Sequence, residues 1–334
     1  MRAVVITANG DSSKLEVQER PSPRCGPGQV RIAVAAAGVN FADVMARMGL
    51  YPDAPPLPAV VGYEVAGEVV EVGADVTTPS VGDRVAAGCR FGGYAEEVVV
   101  AAGDCLALPD TLSLAAGAAI PVNYATAWAG LLGFGSLRRG ERVLVHAAAG
   151  GVGMAATQIA KAAGAHVTGT ASPAKHDAVR ANGADAVLDY TSSGWETDAG
   201  AFDVIMDAIG GRSLRRSYGL LRAGGRLVAF GASSVVSGER KNLARAAPEA
   251  LAMVRGFSLL DQMSASKTVI GLNILRLWDD RGTLEPWLAP LAELLAAGVI
   301  RPVVSAEVPF ARAGEAHRML SERRNVGKVV LIPG

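Results

Sequence analysis

The sequence predicts an α/β protein in two parts, a barrel-like β region followed by a doubly wound parallel sheet. Three observations carry that expectation. A chain of 334 residues is long enough for about two domains. From Arg142 onward, short apolar β-rich runs alternate with helical patterns, the rhythm of a parallel sheet with helical crossovers. Before Ala115, short β-rich segments are divided by Gly, Pro and Asp, which is the texture of a barrel.

In the first part the expected strands are Arg2 to Thr7, Gln29 to Ala37, Gly67 to Val72, Asp83 to Ala87 and Tyr94 to Val100. One helix, Asn40 to Met48, has Asn40 as its cap. Thr111 to Leu137 carries no charge and is long enough to span a bilayer. Pro121, Asn123, Thr126 and four glycines interrupt it, so a helix buried between two domains is expected instead. The second part reads as strands at Val143 to Val145, His166 to Thr170, Ala186 to Leu188, Phe202 to Met206, Arg226 to Phe230 and Thr268 to Leu272. Helices fill most gaps: Val152 to Ala163, Pro173 to Asn182, and Leu214 to Leu221 with Gly224-Gly225 as its stop. After Gly282, helices at Leu284 to Ala297 and Ala311 to Arg323 precede a last strand, Lys328 to Ile332. That tail is too small to fold alone and is expected to return to the first domain.

With 50% hydrophobic and 19% charged residues, the composition is that of a compact enzyme rather than a disordered or fibrous chain. Thirty-two basic side chains against 32 acidic ones leave no net charge and no long basic run, which argues against a nucleic-acid partner. Cys25, Cys89 and Cys105 form no CxxC pair, which suits a reducing compartment. The N-terminus lacks the apolar core and cleavage site of a signal peptide, so a cytoplasmic protein is expected.

Chemistry concentrates in VLVHAAAGGVG, Val143 to Gly153: a strand, a small-residue turn and a helix. A pyrophosphate needs this arrangement. Gly150 lets the backbone approach the phosphates, Gly153 lets the helix pack on the strand, and the helix N-terminus offers N–H groups and a positive dipole. Ala148 stands where the usual fingerprint has its first glycine. About 20 residues beyond the glycines an acid would grip the ribose of NAD. Here the sequence is GTASPAK, Gly169 to Lys175, a hydroxyl and a cation instead of a carboxylate. That suits the 2′-phosphate of NADPH, the alternative for Lys175 being a solvated helix charge. No His–Cys set has zinc-ligand spacing, and His146 and His317 read as structural histidines, so no metal is expected. Nucleophile-elbow, HExxH and Walker patterns do not occur either.

Taken together, AAGVNFAD (Ala36 to Asp43), GYEVAG (Gly62 to Gly67), VGDRV (Val81 to Val85) and AAGGVG (Ala148 to Gly153) resemble the medium-chain dehydrogenase/reductase superfamily. The resemblance is to its zinc-free quinone oxidoreductase branch and covers essentially the whole chain. Within that branch, Asn40 to Tyr51, Val122 to Tyr124, Gly169 to His176 and Asn325 to Lys328 are most similar to the vesicle amine transport protein 1 homologues. The resemblance implies a GroES-like β-barrel domain, residues 1–120 and 275–334, and a Rossmann domain, residues 121–274. The active site would lie between them, with a homodimer formed through the Rossmann sheet. It also implies no zinc, because Asn40 falls where zinc members have a cysteine ligand and Tyr63 where they have the histidine of Gly-His-Glu. Residue by residue it puts Gly150, Gly151, Val152 and Gly153 on the pyrophosphate. It puts Ser172, Lys175, Tyr190 and Arg323 near the 2′-phosphate, and Asn123, Thr126, Phe230 and Gly231 on the nicotinamide side. Asn40 and Tyr51 would face the substrate, Tyr51 either donating to its carbonyl or merely packing.

The implied activity is NADPH-dependent hydride transfer to a quinone or an α,β-unsaturated carbonyl compound, the resulting anion being stabilised by Asn40, Tyr51 and backbone N–H groups. Two alternatives stand beside it: reduction of an enoyl thioester on CoA or a carrier protein, and a non-catalytic NADPH sensor or scaffold. The loops Leu50 to Pro58 and Ser233 to Asp261 would shape the substrate pocket, and no pattern rule gives their form. In the second, Arg240, Lys241, Arg245 and Arg255 read as a solvated or interface helix face, with a cleft cap or an anion site as alternatives.

Overall fold

A computed structural model describes the chain except residues 237, 240–242 and 255, and gives the backbone alone at 198, 243, 245 and 254. Arg240, Lys241 and Arg255 therefore lie outside the described residues, as does the side chain of Arg245.

The N-terminal β region is built from β1 (Arg2–Ile6), β2 (Leu15–Glu19), β3 (Gln29–Val39), β4 (Ala59–Val60), β5 (Glu64–Val72), β6 (Arg84–Gly88), β7 (Glu97–Ala101) and β8 (Cys105–Ala107). Its longest described strand is β3, with Val30, Ile32 and Val34 turned into the core. The first half of β3 pairs with β7 and most of its length with β5, all antiparallel. Close packing demands glycine in β5, since a Cβ on Gly67 would lie 1.9 Å from the Ala33 carbonyl oxygen. Between β3 and β4 runs α1 (Phe41–Arg47), with Asn40 as its extended N-cap.

The uncharged stretch after β8 is not one helix. It breaks into α2 (Leu114–Gly117), α3 (Pro121–Trp128) and a wide turn at 129–134. Pro121 sits at the first turn of α3, where its missing N–H is harmless, and cannot continue the helix before it. The stretch is buried at the junction of the two parts, as expected, and among the described residues no helix is long and apolar enough to cross a membrane.

The second part is a six-stranded parallel sheet in the order β11-β10-β9-β12-β13-β14. Its strands are β9 (Arg142–Val145), β10 (His166–Ala171), β11 (Ala186–Asp189), β12 (Phe202–Asp207), β13 (Leu221–Ala229) and β14 (Thr268–Gly271). The crossovers carry α4 (Gly151–Ala162), α5 (His176–Ala181), α6 (Trp195–Ala199), α7 (Arg212–Gly219), α8 (Leu243–Val254) and α9 (Leu259–Ala265). Strand order reverses between β9 and β12, the switch point outside which such sheets bind ligands. Gly224-Gly225 do not stop a helix: α7 ends at Gly219, and both glycines lie inside β13. Buried Leu221 already pairs with Phe202, and the glycines absorb the register shift before Arg226 meets Val204.

The chain returns through α10 (Ile274–Arg281), α11 (Glu285–Ala296), β15 (Val304–Pro309), α12 (Ala313–Ser321) and β16 (Lys328–Ile332). β16 pairs parallel with β15 and antiparallel with the end of β3, so the tail does rejoin the first sheet. A second tie crosses the cleft: Val235 and Val236, beyond β13, pack on Val44, Met48 and Leu320, and Glu239 accepts a 2.7 Å hydrogen bond from Ser12.

Under α1 lies a buried polar chain. The Asp43 carboxylate accepts from the Asn40 N–H (2.8 Å), the Gly62 N–H (3.1 Å) and the Tyr94 hydroxyl (2.9 Å), and Tyr94 Oη is 3.3 Å from His317 Nε2. Burial raises the Asp43 carboxyl to about 6 despite these donors. Burial, helped by the charge of Arg47, lowers His317 to about 3. Asp43 therefore stabilises the fold fully below its ordinary value of 3.8, and that contribution is lost as pH rises through about 6. Neutral His317 does the opposite, stabilising above 6.5 and losing that contribution as pH falls toward about 3. The slopes offset each other in the wild type. Asp43→Asn should leave only the histidine slope, so denaturant midpoints measured from pH 7 down to pH 4 should fall more steeply than those of the wild type; parallel profiles would contradict this account.

Candidate active site in the interdomain cleft

A cavity of about 1360 Å³ opens between the two sheets, and all fourteen site residues expected from the sequence line it. At its centre β9 runs into the turn before α4, with Ala147 at φ +51°. Gly150 caps α4 without a side chain, and the first helical hydrogen bond is Met154 N–H to Gly150 O at 2.8 Å. The N–H groups of Gly151, Val152 and Gly153 thus have no intrahelical acceptor. A Cβ on Gly153 would lie 2.3 Å from the Ala147 carbonyl oxygen, and one on Gly151 2.6 Å from Asn123 Nδ2. The cradle is glycine-only there, and it fits a pyrophosphate.

At one end stand Ser172 and Lys175 after β10, Tyr190 after β11 and Arg323 after α12. Lys175 Nζ donates to the carbonyls of Arg323 and Asn325, each at 2.6 Å, leaving its third N–H for another acceptor. Burial and then the charge of Arg323 lower the Lys175 ammonium. Among the described residues neither cation has a carboxylate partner. Arg212 and Arg216 of α7 also line the cavity and had no signal in the sequence beyond their charge.

The other end holds Asn123 and Thr126 of α3, Phe230 and Gly231 after β13, and Asn40 and Tyr51. The Asn40 carboxamide is already engaged: its oxygen accepts from Lys328 Nζ at 2.7 Å and its nitrogen donates to Glu64 Oε1 at 3.0 Å. Lys328 and Glu64 form an ion pair at 2.5 Å, 4% and 0% exposed. The Asn123 oxygen lies 3.5 Å from the same ammonium, and Glu64 Oε2 accepts from the Val122 N–H at 2.7 Å. The adjacent Gly327 pairs with Gly150, donating its N–H to Ala149 O at 2.7 Å. Glu64 and Lys328 were legible only as motif members; no local spacing announces a pair drawn from β5 and β16.

Tyr51 sits on a loop whose Asp53 is held by Arg276 of α10 at 2.6 Å. Its ring stands edge-on to Tyr63 at 6.3 Å, and Tyr63 leans on Phe91 at 5.0 Å. The wall beyond is apolar: Phe41, Met45, Leu272, Ile274, Leu275 and Trp278. His146, with Thr170 Oγ1 at 3.1 Å and Ser217 Oγ at 3.0 Å, is held at both ring nitrogens in a buried network anchored by Asp207. Among the described residues no three His, Cys, Asp or Glu side chains converge to hold a metal.

Residues 26–110 match the alcohol dehydrogenase GroES-like domain family, and residues 182–331 the family described as zinc-binding dehydrogenase. The human synaptic vesicle membrane protein VAT-1 homolog is 37% identical over 100% of this chain and 87% of its own length. The chain belongs to the medium-chain dehydrogenase/reductase superfamily, in the zinc-free quinone oxidoreductase-like branch that includes VAT-1. Polyketide synthase GfsB of Streptomyces halstedii is 40% identical over 91% of this chain, which corresponds to 5% of that protein. Among solved structures, a Pseudomonas syringae quinone oxidoreductase superposes with a TM-score of 0.84 at 31% identity over 99% of both chains. A mycobacterial protein solved with NADPH gives 0.84 at 31% identity over 100% of both.

The buried pair yields a direct test. Lys328→Met leaves Glu64 charged and unpaired, which should cost about 3 kcal/mol or more of stability, whereas Lys328→Met combined with Glu64→Gln should recover most of it. Equal losses in the single and double variants, read from urea midpoints, would show that the two side chains are not energetically coupled.

Proposed function

We propose that the chain is an NADPH-dependent reductase of quinones or α,β-unsaturated carbonyl compounds that works in this cleft without a metal. The observation that carries the nucleotide is the meeting of Lys175 and Arg323, two cations without a carboxylate partner among the described residues, where an acid would select NAD. A 2′-phosphate relieves their mutual repulsion and takes the free N–H of Lys175, with Ser172 and Tyr190 alongside. Gly150, Gly151, Val152 and Gly153 take the pyrophosphate. The NADPH complex of the mycobacterial relative supports the same reading.

When bound, NADPH supplies the hydride. The residues of the chain orient and stabilise. Asn123, Thr126, Phe230 and Gly231 flank the nicotinamide, and Lys328 and Glu64 hold the Asn40 carboxamide at the substrate end. The Tyr51 hydroxyl donates to the carbonyl oxygen, where charge develops, and apolar walls keep water from competing. The cavity exceeds the roughly 300–1,000 Å³ of a drug-sized site, which leaves room for an acceptor beside the dinucleotide. Its apolar wall suits an uncharged reacting group. A metal has no place in this reading because the Lys328 ammonium already sits among Glu64, Asn40 and Asn123.

In the same reading residues 1–120 and 275–334 form the substrate domain and 121–274 the nucleotide domain. A homodimer through the Rossmann sheet is supported by β14, an edge strand, beside α9, whose Leu259, Leu260 and Met263 are 70%, 73% and 67% exposed. The polyketide synthase relative favours one second reading, reduction of an enoyl thioester. Crotonyl-CoA turned over far faster than a free enone would select it.

Initial rates of NADPH oxidation with an ortho-quinone and a short 2-enone, repeated with NADH, should show turnover and a preference for NADPH. Binding of NADPH with no turnover on any acceptor would replace the reductase with a sensor or scaffold. Lys175→Ala should weaken NADPH about tenfold, about 1.4 kcal/mol, and leave NADH nearly unchanged; an equal loss for both would remove Lys175 from the 2′-phosphate. Light scattering should give twice the chain mass, falling to one chain for Leu260→Glu, and a monomeric wild type would end the dimer assignment.

A further inference from the structure

Tyr63 is 5% exposed and belongs to the main core, yet it lines the substrate end of the cavity. Its hydroxyl is buried with no hydrogen-bond partner among the described residues. A buried donor left without an acceptor destabilises a fold, and phenylalanine would fill the same space without that penalty. The rest of the ring is well placed: it packs at a tilt on Phe91 and meets Tyr51 edge-on, and the Tyr63 carbonyl accepts from the Cys89 N–H at 2.8 Å. Only the oxygen lacks a structural use.

We propose that Tyr63 is a positioning residue for Tyr51, donating its phenolic hydrogen to the Tyr51 oxygen during the reaction. The inference rests on the reading of Tyr51 as the donor to the substrate carbonyl. The electrons and protons balance as follows. NADPH would supply the hydride, itself being oxidised to NADP⁺; the hydride would form a C–H bond at the β-carbon of the alkene as the π electrons move to the carbonyl oxygen. Tyr51 then gives its proton to that enolate, breaking its own O–H bond. The tyrosinate left behind accepts the hydrogen bond of Tyr63 until solvent returns a proton. Tyr63 cannot serve the substrate directly while its hydroxyl is closed off from solvent behind Tyr51; it acts through Tyr51.

The surrounding charges make such a helper useful. Asp43 from α1 and Asp53 from the Tyr51 loop both oppose a tyrosinate at position 51, and Arg90 from the turn after β6 favours it. Asp53 is paired with Arg276, and Arg90 with Asp279, so neither charge is free to swing in. Burial is the largest effect and raises the Tyr51 phenol; of the opposing influences the nearness of the Tyr63 hydroxyl comes first, ahead of Arg90. Tyr63 itself is raised by burial and then by Asp43, so it stays protonated and remains a donor.

The test is Tyr63→Phe in the full chain. Removing an unpartnered hydroxyl should raise Tm by about 2 °C. NADPH affinity, followed by nicotinamide fluorescence, should not change. With the short 2-enone, kcat should fall about tenfold at constant KM, since the lost interaction exists only after the ground state. Adding Tyr63→Phe to Tyr51→Phe should cost nothing further, because the helper has nothing left to help. Independently of turnover, the ultraviolet signal of tyrosine ionisation, isolated by subtracting the Tyr51→Phe protein, should move about one pH unit higher in Tyr63→Phe. A fully active Tyr63→Phe enzyme, or an unmoved Tyr51 titration, overturns the proposal. A wild type without turnover on enone or quinone would instead defeat the reductase reading, and with it the catalytic role, while the titration still reports whether the two phenols are coupled.

Discussion

The ion pair between Glu64 and Lys328 is the constraint around which the cleft is organised. Two charges withdrawn from water in this way persist only when every remaining lone pair and proton is matched. Here the carboxylate takes the ammonium, the Asn40 amide and the Val122 N–H, and the ammonium also reaches Asn40 and Asn123. Those partners belong to β5, the cap of α1, the first turn of α3 and β16. Satisfying one pair therefore fixes four segments relative to each other. It does so one residue away from Gly327, which is itself paired with the glycine turn before α4.

From that point the cavity runs in two directions with opposite chemistry. Toward β10 and α12 it is cationic, with Lys175 bridging to the carbonyls before β16. Toward α10 its wall is apolar, with Leu275 and Trp278, and the two tyrosines stand beside the engaged Asn40 amide. The proposed nucleotide would occupy the first end and the proposed acceptor the second. Low dielectric at that second end strengthens each hydrogen bond aimed at a developing oxyanion. The same low dielectric is why an unused hydroxyl at Tyr63 would be a liability without a catalytic purpose.

Membership of the superfamily sets the frame, and the individual side chains give it content. The relatives include a segment of a polyketide synthase, and a quinone oxidoreductase and an NADPH-bound protein superpose on the same fold. A shared scaffold leaves the acceptor to the loops and walls of the cavity. In this chain those are the Tyr51 loop pinned by Arg276, the Tyr63 and Phe91 pair, and the crossing from Val235 to Glu239 that ties the sheets together over α1.

The sequence by itself determined what depends on near neighbours. The β9 strand, its glycine turn and α4 could be read because every requirement falls within about a dozen residues, and the missing acid after β10 was a single position. The alternating strands and the buried, Pro-broken stretch at 111–137 followed from the same local rules. Where a local signal has two physical meanings it misled: Gly224-Gly225 mark a register shift inside β13, because burial of Leu221 beside Phe202 outweighed a helix stop. Tertiary structure alone decided that Glu64 and Lys328 neutralise each other, that the Asn40 amide is already engaged, that Lys175 caps the carbonyls of Arg323 and Asn325, and that the Tyr63 hydroxyl has no partner among the described residues. Each of these joins segments far apart in the chain, and the energy of a buried charge or an unmet hydrogen bond is set by everything around it, which no spacing along a sequence encodes.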